Sequence, residues 1–183
     1  MGKTKLEIKT ISDALYWTYA NLAMAHYAVT NDLQKYNRTA YIIRARLFAG
    51  LKKGNMNISS LYFDEKERLK SDKICEYCNE SSNLTLDHLI PKKLGGNDSA
   101  DNLVYACRFC NSSKGGRDLL EWYQFRNEFP RLMLLRRYLK LCRDYIEQTG
   151  LSDIEYKSYE KIDIPFRIDL FPTVFPLPNI LVL

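Results

Sequence analysis

Residues 75–117, CEYCNESSNLTLDHLIPKKLGGNDSADNLVYACRFCNSSKGGR, carry the stretch whose reading decides the fold. Cys75-x2-Cys78 and Cys107-x2-Cys110 are two knuckles, and four thiolates suit a closed tetrahedral zinc site, with Zn–S of about 2.3 Å and a structural role. The 28 residues between Cys78 and Cys107 exceed the roughly 15 to 20 of a plain zinc ribbon. Something is therefore inserted between the knuckles, and the insert is where function is expected. It reads as a short β-rich run, LTLDHLI, a turn-rich loop, PKKLGGNDSADN, and a second β-rich run, LVYAC. Redox use of a CxxC pair is the competing account, and two pairs in one small region weigh against it.

The order of short motifs is more specific than any one of them. Leu86-Asp87-His88-Leu89-Ile90-Pro91 is followed by Gly95-Gly96-Asn97, then Asn102-Leu103, then Cys110-Asn111-Ser112-Ser113-Lys114-Gly115. This series resembles the HNH endonuclease family in its zinc-knuckle form, over about a quarter of the chain. The resemblance implies a ββα-metal fold, in which a hairpin and a helix grip one divalent ion and cut a phosphodiester bond. It also implies His88 as general base, Asp87 as the metal ligand before it, and Asn102 as the residue that orients the loop bearing the base. Asn111 matches the last motif position, in the asparagine variant. Lys114, and less directly Arg117, are expected to meet phosphate at the start of the metal helix.

The residue chemistry supports these roles. An anionic phosphodiester repels nucleophiles, so cleavage needs a base for water and a cation for the charge that builds on oxygen. His88 is the histidine of the region, and imidazole is the side chain whose ordinary pKa suits a base at neutral pH. Asp87 and the side-chain carbonyl of Asn111 are hard oxygen ligands suited to Mg2+ or Mn2+. Strand neighbours point to opposite faces, so Asp87 and His88 can serve one site only where the strand ends or bends, and Pro91 makes an end plausible. Considered singly, Asp87 and Asn102 read as ordinary turn residues. The alternative to an enzyme is a non-catalytic zinc-knuckle module that binds nucleic acid or protein.

Around this core the 183-residue chain is mildly basic, with 27 Lys and Arg against 22 Asp and Glu. The charge is uneven: residues 1–70 carry +6, residues 71–122 carry −2, residues 123–150 carry +3 and residues 151–183 carry −2. A pull on nucleic acid, DNA by the resemblance, would come from the two basic flanks. With 2 Trp, 13 Tyr and 8 Phe the chain can bury a core, which excludes wholesale disorder. MGKTKLEIKT lacks the apolar centre of a signal peptide, no long apolar run occurs, and Leu6 spoils a myristoylation pattern. The expectation is a cytoplasmic protein without membrane association, where five cysteines resolve as four ligands plus an inert Cys142.

Outside the core, Ser12 is read as the N-cap of a long helix running to Tyr36, and Arg38 to Lys53 as a second helix ending at Gly54. Residues 60–73 read as a polar turn or linker. A helix is expected after the glycines at 115–116, and another from Pro130 to Gln148. The arginines of the latter do not share one face, so a solvated charged side and a basic stripe stay open. His26 is read as a packed or surface residue with no role assigned, and Lys92 and Lys93 as DNA contacts or plain solubility. The tail from Ile162 to Leu183 holds four of the six prolines and cannot be a regular helix. It either wraps its own core, the favoured reading, or docks on a partner protein or second copy. The fold expected is α+β, mostly helical: a small ββα-metal HNH core stapled by a four-cysteine zinc site, flanked by N- and C-terminal helices and an extended apolar tail. The corresponding segments are 1–70, 71–125, 126–150 and 151–183. A nuclease subunit of a defence or mobile-element complex would account for the flanks.

Overall fold

The structure is a computed structural model that describes residues 7–61 and 72–183. The linker expected at 60–73 lies mostly outside the described residues, as do Gly2 and Leu6. The fold is mostly helical with one two-stranded antiparallel sheet, in agreement with the α+β expectation.

Helix α1 spans Ile11–Thr30. Its cap is Thr10, not Ser12: Thr10 Oγ1 accepts from Asp13 N at 3.1 Å while Asp13 Oδ2 accepts from Lys9 N at 3.0 Å. This is a reciprocal capping arrangement, and it satisfies amide donors that would otherwise be orphaned at the helix start. Ser12 is drawn inside because Thr10 bridges Glu155, which holds the chain extended up to that point. The helix ends six residues before Tyr36 because Asn31 caps it and Asp32 takes a left-handed φ of 52°. Its small residues allow close packing on two sides: Ala20, Ala25 and Ala28 are fully buried. Helix α2, Arg38–Lys52, packs on one side, and α5, Leu132–Gln148, on the other.

Strands β1, Leu84–His88, and β2, Leu103–Cys107, pair from Leu84 with Cys107 to His88 with Leu103. Helix α3, Arg108–Lys114, follows β2 without a loop, with Cys107 as its N-cap. Helix α3 thus begins at the second knuckle. Lys114 is its last residue and Arg117 lies beyond it, which corrects the expectation that both stand at its start. Helix α4, Leu119–Phe125, begins after the glycines as expected. Its cap, Asp118, accepts from Leu120 N at 2.8 Å with Oδ1 and from Tyr138 OH at 2.5 Å with Oδ2, which fastens α4 to α5.

The tail folds back over the molecule's own core. Phe166, Ile168, Phe171, Phe175 and Leu181 are buried, each contributing roughly 1.5 to 3 kcal/mol by removal from water. Its backbone is pinned too: Thr173 O accepts from Trp17 Nε1 at 3.0 Å and Asn21 Nδ2 at 3.2 Å, and Pro176 O accepts from Tyr36 OH at 2.7 Å. One hydrophobic cluster therefore includes residues from all four expected segments, from Ile11 through Leu89, Trp122 and Tyr138 to Leu181. Among the described residues, no helix is long and apolar enough to cross a membrane.

The candidate metal and nuclease site

The four knuckle cysteines converge. Their sulfur atoms all lie within 4.8 Å of one another, and Cys78 Sγ stands 3.7 Å from Cys107 Sγ. A tetrahedron with Zn–S of about 2.3 Å has an S···S edge of about 3.8 Å, so the donor set fits one tetrahedral ion. The local backbone explains the convergence. Cys75 N donates to Glu80 O at 2.8 Å and Asn79 N to Cys75 O at 2.8 Å, curling the first knuckle around a left-handed Asn79. In the second, Cys110 N donates to Cys107 Sγ at 3.4 Å. That bond lowers the pKa of the Cys107 thiol and so favours the thiolate a metal needs, while burial pushes Cys110 up. Cys142 is fully buried in α5, apart from this cluster.

A second constellation lies where β1 meets α3. Asp87 is buried, and its Oδ2 accepts from Tyr77 OH at 2.6 Å and stands 3.0 Å from Lys114 Nζ. Tyr77 sits between the knuckle cysteines, so the zinc-type loop and the Asp87 carboxylate are directly coupled. Lys114 is fully buried and also donates to His88 O at 2.6 Å. Burial pushes its pKa down, and the adjacent Asp87 opposes that shift. Here Lys114 is a strut between strand and helix.

Asn111 is oriented by its nitrogen. Nδ2 donates to Thr85 Oγ1 at 2.9 Å and to Leu86 O at 3.3 Å, which turns the acceptor-only Oδ1 away from the strand. Both contacts on Asp87 fall on Oδ2, leaving Oδ1. Two spare hard oxygens on adjoining elements, one anionic, fit a hard divalent cation better than a soft one.

His88 is the last residue of β1, paired with Leu103 of β2. Its Nε2 lies 2.7 Å from Asp98 Oδ1, and Asp98 Oδ2 accepts from Lys92 Nζ at 3.0 Å. The bonds from His88, first, and Lys92 pull the exposed Asp98 below the usual carboxylate range, so it is ionised and accepts only. Nε2 then carries the hydrogen of that contact, and in the neutral form of the ring the lone pair falls to Nδ1.

The loop between the strands is built around Asn102, which is buried. Its Oδ1 accepts from Ile90 N at 2.9 Å, and its Nδ2 donates to Ile90 O and Asn97 O, both at 2.8 Å. The two glycines make this possible. Gly95 adopts φ 100°, and a Cβ on Gly96 would lie 1.9 Å from Ile90 O. From α5, Arg137 donates to Asp101 O at 2.9 Å and Ala100 O at 3.1 Å and closes the loop from outside.

The structure thus brings Asp87, Lys114 and the His88 carbonyl together, seats Asn111 on the same strand, and leaves Arg117 outside. Arg117 is exposed, donates to Ser113 O at 2.7 Å and lies over the Phe125 ring at 5.2 Å. Sequence reasoning missed Tyr77, Thr85, Asp98 and Arg137. Asp98 was findable as the carboxylate following the glycine turn. Arg137, 36 residues from Asp101, had no local signal. His26 lines a cavity of about 310 Å³ between α1 and α5, away from the cysteine cluster.

Residues 75–117 match the family model for HNH endonuclease. Over 91 residues the chain is 28% identical to the CRISPR-associated endonuclease Cas9 of Corynebacterium diphtheriae, covering 48% of this chain and 8% of that protein. The chain therefore spans less than a tenth of that relative's length. No solved structure matches. Over the knuckles, hairpin and helix α3, the chain is similar to HNH endonucleases, and its four cysteines fit a zinc knuckle.

Proposed function

We infer that the chain is a metal-dependent HNH endonuclease that hydrolyses phosphodiester bonds in DNA. The observation that carries this reading is the meeting of β1 and α3, where Asp87 and Asn111 each keep a spare oxygen, with His88 next to Asp87 in the chain and its Nε2 held by Asp98. Residues 71–125 form the nuclease unit in this reading, with zinc held by Cys75, Cys78, Cys107 and Cys110. Asp87 Oδ1 and Asn111 Oδ1 would hold Mg2+ or Mn2+. When bound, that ion supplies positive charge against the phosphoryl oxygens and the leaving oxygen.

The chain's own residues do the rest. Asp98 accepts from Nε2–H of His88 and fixes the tautomer, so Nδ1 takes the proton of the attacking water. Asn102 holds the 90–97 backbone and with it the loop bearing Lys92 and Asp98. Lys114 keeps strand and helix in register by bonding both the Asp87 carboxylate and the His88 carbonyl. Arg117, exposed beyond the helix, is the nearer of the two expected phosphate contacts to solvent.

The test is cleavage of supercoiled plasmid by purified full chain with Mg2+ or Mn2+. Wild type should nick or linearise it, and His88→Ala should lose about 100- to 10,000-fold, the usual contribution of a general base. No cleavage by wild type, or equal cleavage by the variant, leaves the non-catalytic zinc module as the better account.

A further inference from the structure

We propose that the exposed face of α2 is a docking surface for the sugar–phosphate backbone of duplex nucleic acid, separate from the nuclease unit. Between Leu33 and Leu61 the chain has six basic residues and no Asp or Glu. Two of the six are engaged internally. Arg44 donates to Asn21 Oδ1 at 3.2 Å and sits between the Trp17 and Tyr41 rings, at 4.8 and 5.0 Å. Lys52 bonds Asp13 Oδ2 at 2.8 Å. The remaining four, Lys35, Arg38, Arg46 and Lys53, are exposed and meet no carboxylate among the described residues.

Three of these four share one side of the helix. Arg38, Ile42, Ala45, Arg46, Ala49 and Lys53 recur at three- and four-residue spacing, and all are exposed. At about 1.5 Å per residue, Arg38 and Lys53 stand about 22 Å apart along the axis, with Arg46 between them. Ala45 and Ala49 form a low floor that lets a helix approach a backbone closely. A merely solvated face usually mixes signs and gains from ion pairs four residues apart. This one has none, and it places Arg38 in the first turn, where the helix dipole disfavours a cation. The other basic flank is different: in α5, Arg137, Lys140 and Arg143 are turned inward onto backbone carbonyls of residues 100–101, 60 and 58. A single-sign, unpaired, regularly spaced face fits a polyanion of regularly spaced charges. The nuclease reading adds only that the polyanion is DNA, and contacts of this kind position the duplex without reading its sequence.

The experiment measures binding of a fluorescent duplex of about 25 base pairs by full-length His88→Ala protein across a salt series, with no cleavage step in the readout. Adding Arg38→Gln, Arg46→Gln and Lys53→Gln should reduce the slope of log K against log salt by about 2.7 and weaken binding roughly a hundredfold near 0.15 M salt, at about 0.9 per lost phosphate contact. Glutamine preserves helix propensity, and circular dichroism should show the triple variant folded. Restoring charge with Arg38→Lys and Arg46→Lys, Lys53 retained, should recover most of the affinity. Lys157→Gln with Lys161→Gln, on the acidic segment, should change it less than about twofold. Unchanged slope and affinity in the folded triple variant would overturn the proposal, as would absence of duplex binding by the parent, which would instead leave the face for an acidic protein. Binding that depends on α2 in a protein that never cleaves plasmid would uphold the docking surface and reject the nuclease reading alone.

Discussion

At the scale of single residues, the loop between the strands shows how a few atoms set a site. Asn102 uses both ends of its amide on the backbone of Ile90 and Asn97, and Gly96 lies against the same Ile90 carbonyl. Gly96→Ala should therefore shift backbone, not merely a side chain, and destabilise by about 1 to 3 kcal/mol, as overpacking typically does. Urea unfolding measures this; a change below about 0.5 kcal/mol would mean the loop yields freely. Asp98 makes a different prediction because it is exposed. Asp98→Ala should leave the unfolding midpoint nearly unchanged yet lower kcat by about tenfold or more, since His88 loses the acceptor that selects its tautomer. Asp98→Asn retains an acceptor oxygen and should recover part of that loss. Nitrogen chemical shifts of the His88 ring would report the tautomer directly, and an unchanged Nε2–H form in Asp98→Ala would remove the basis for the role.

At the scale of elements, the knuckles and the hairpin are one device. Cys107 ends β2 and caps α3, and Tyr77 passes from the first knuckle to Asp87. Metal in the cysteine cluster should therefore hold the geometry of the knuckles and hairpin, since binding energy at such a site is folding energy. One zinc per chain is expected by elemental analysis. Its removal by a strong chelator, or Cys75→Ser, should abolish cleavage that excess Mg2+ does not restore, together with loss of hairpin amide protection. Retention of that protection without zinc would contradict a structural role. The charges on α5 illustrate the opposite limit of sequence reading. Neither a solvated side nor a basic stripe describes them: Arg137, Lys140 and Arg143 are clamps, turned inward onto loop carbonyls.

At the scale of the whole molecule, the tail is part of the core. Deleting residues after Lys161 removes five buried apolar side chains, Phe166, Ile168, Phe171, Phe175 and Leu181. At roughly 1.5 to 3 kcal/mol each, that is comparable to the whole stability of a typical domain of about 5 to 15 kcal/mol. The truncated chain should aggregate or bind hydrophobic dyes. A soluble, cooperatively melting truncation would mean that the tail is peripheral. Arg131 reinforces the attachment by joining Leu183 O to Asn79 of the first knuckle, so the tail's end and the zinc-type loop share one anchor.

What was legible in the sequence is what depends on near neighbours. The paired CxxC spacings, the helix after Gly116 and the non-helical tail follow from local geometry and ligand chemistry, while the order Asp87-His88, Gly95-Gly96, Asn102 and Asn111 was legible through its resemblance to HNH endonucleases. Even there, the choice of Thr10 over Ser12 as cap waited on Glu155, far away in sequence. Tertiary structure alone decided which charges are spent and which are free. Arg137 and Arg38 look alike as letters, yet one is a buried brace and the other an exposed cation, because pairing depends on what the fold carries through space to each side chain. For the same reason Lys114, expected at a phosphate, stands buried against Asp87, and Asp98, unremarked in the loop, meets His88.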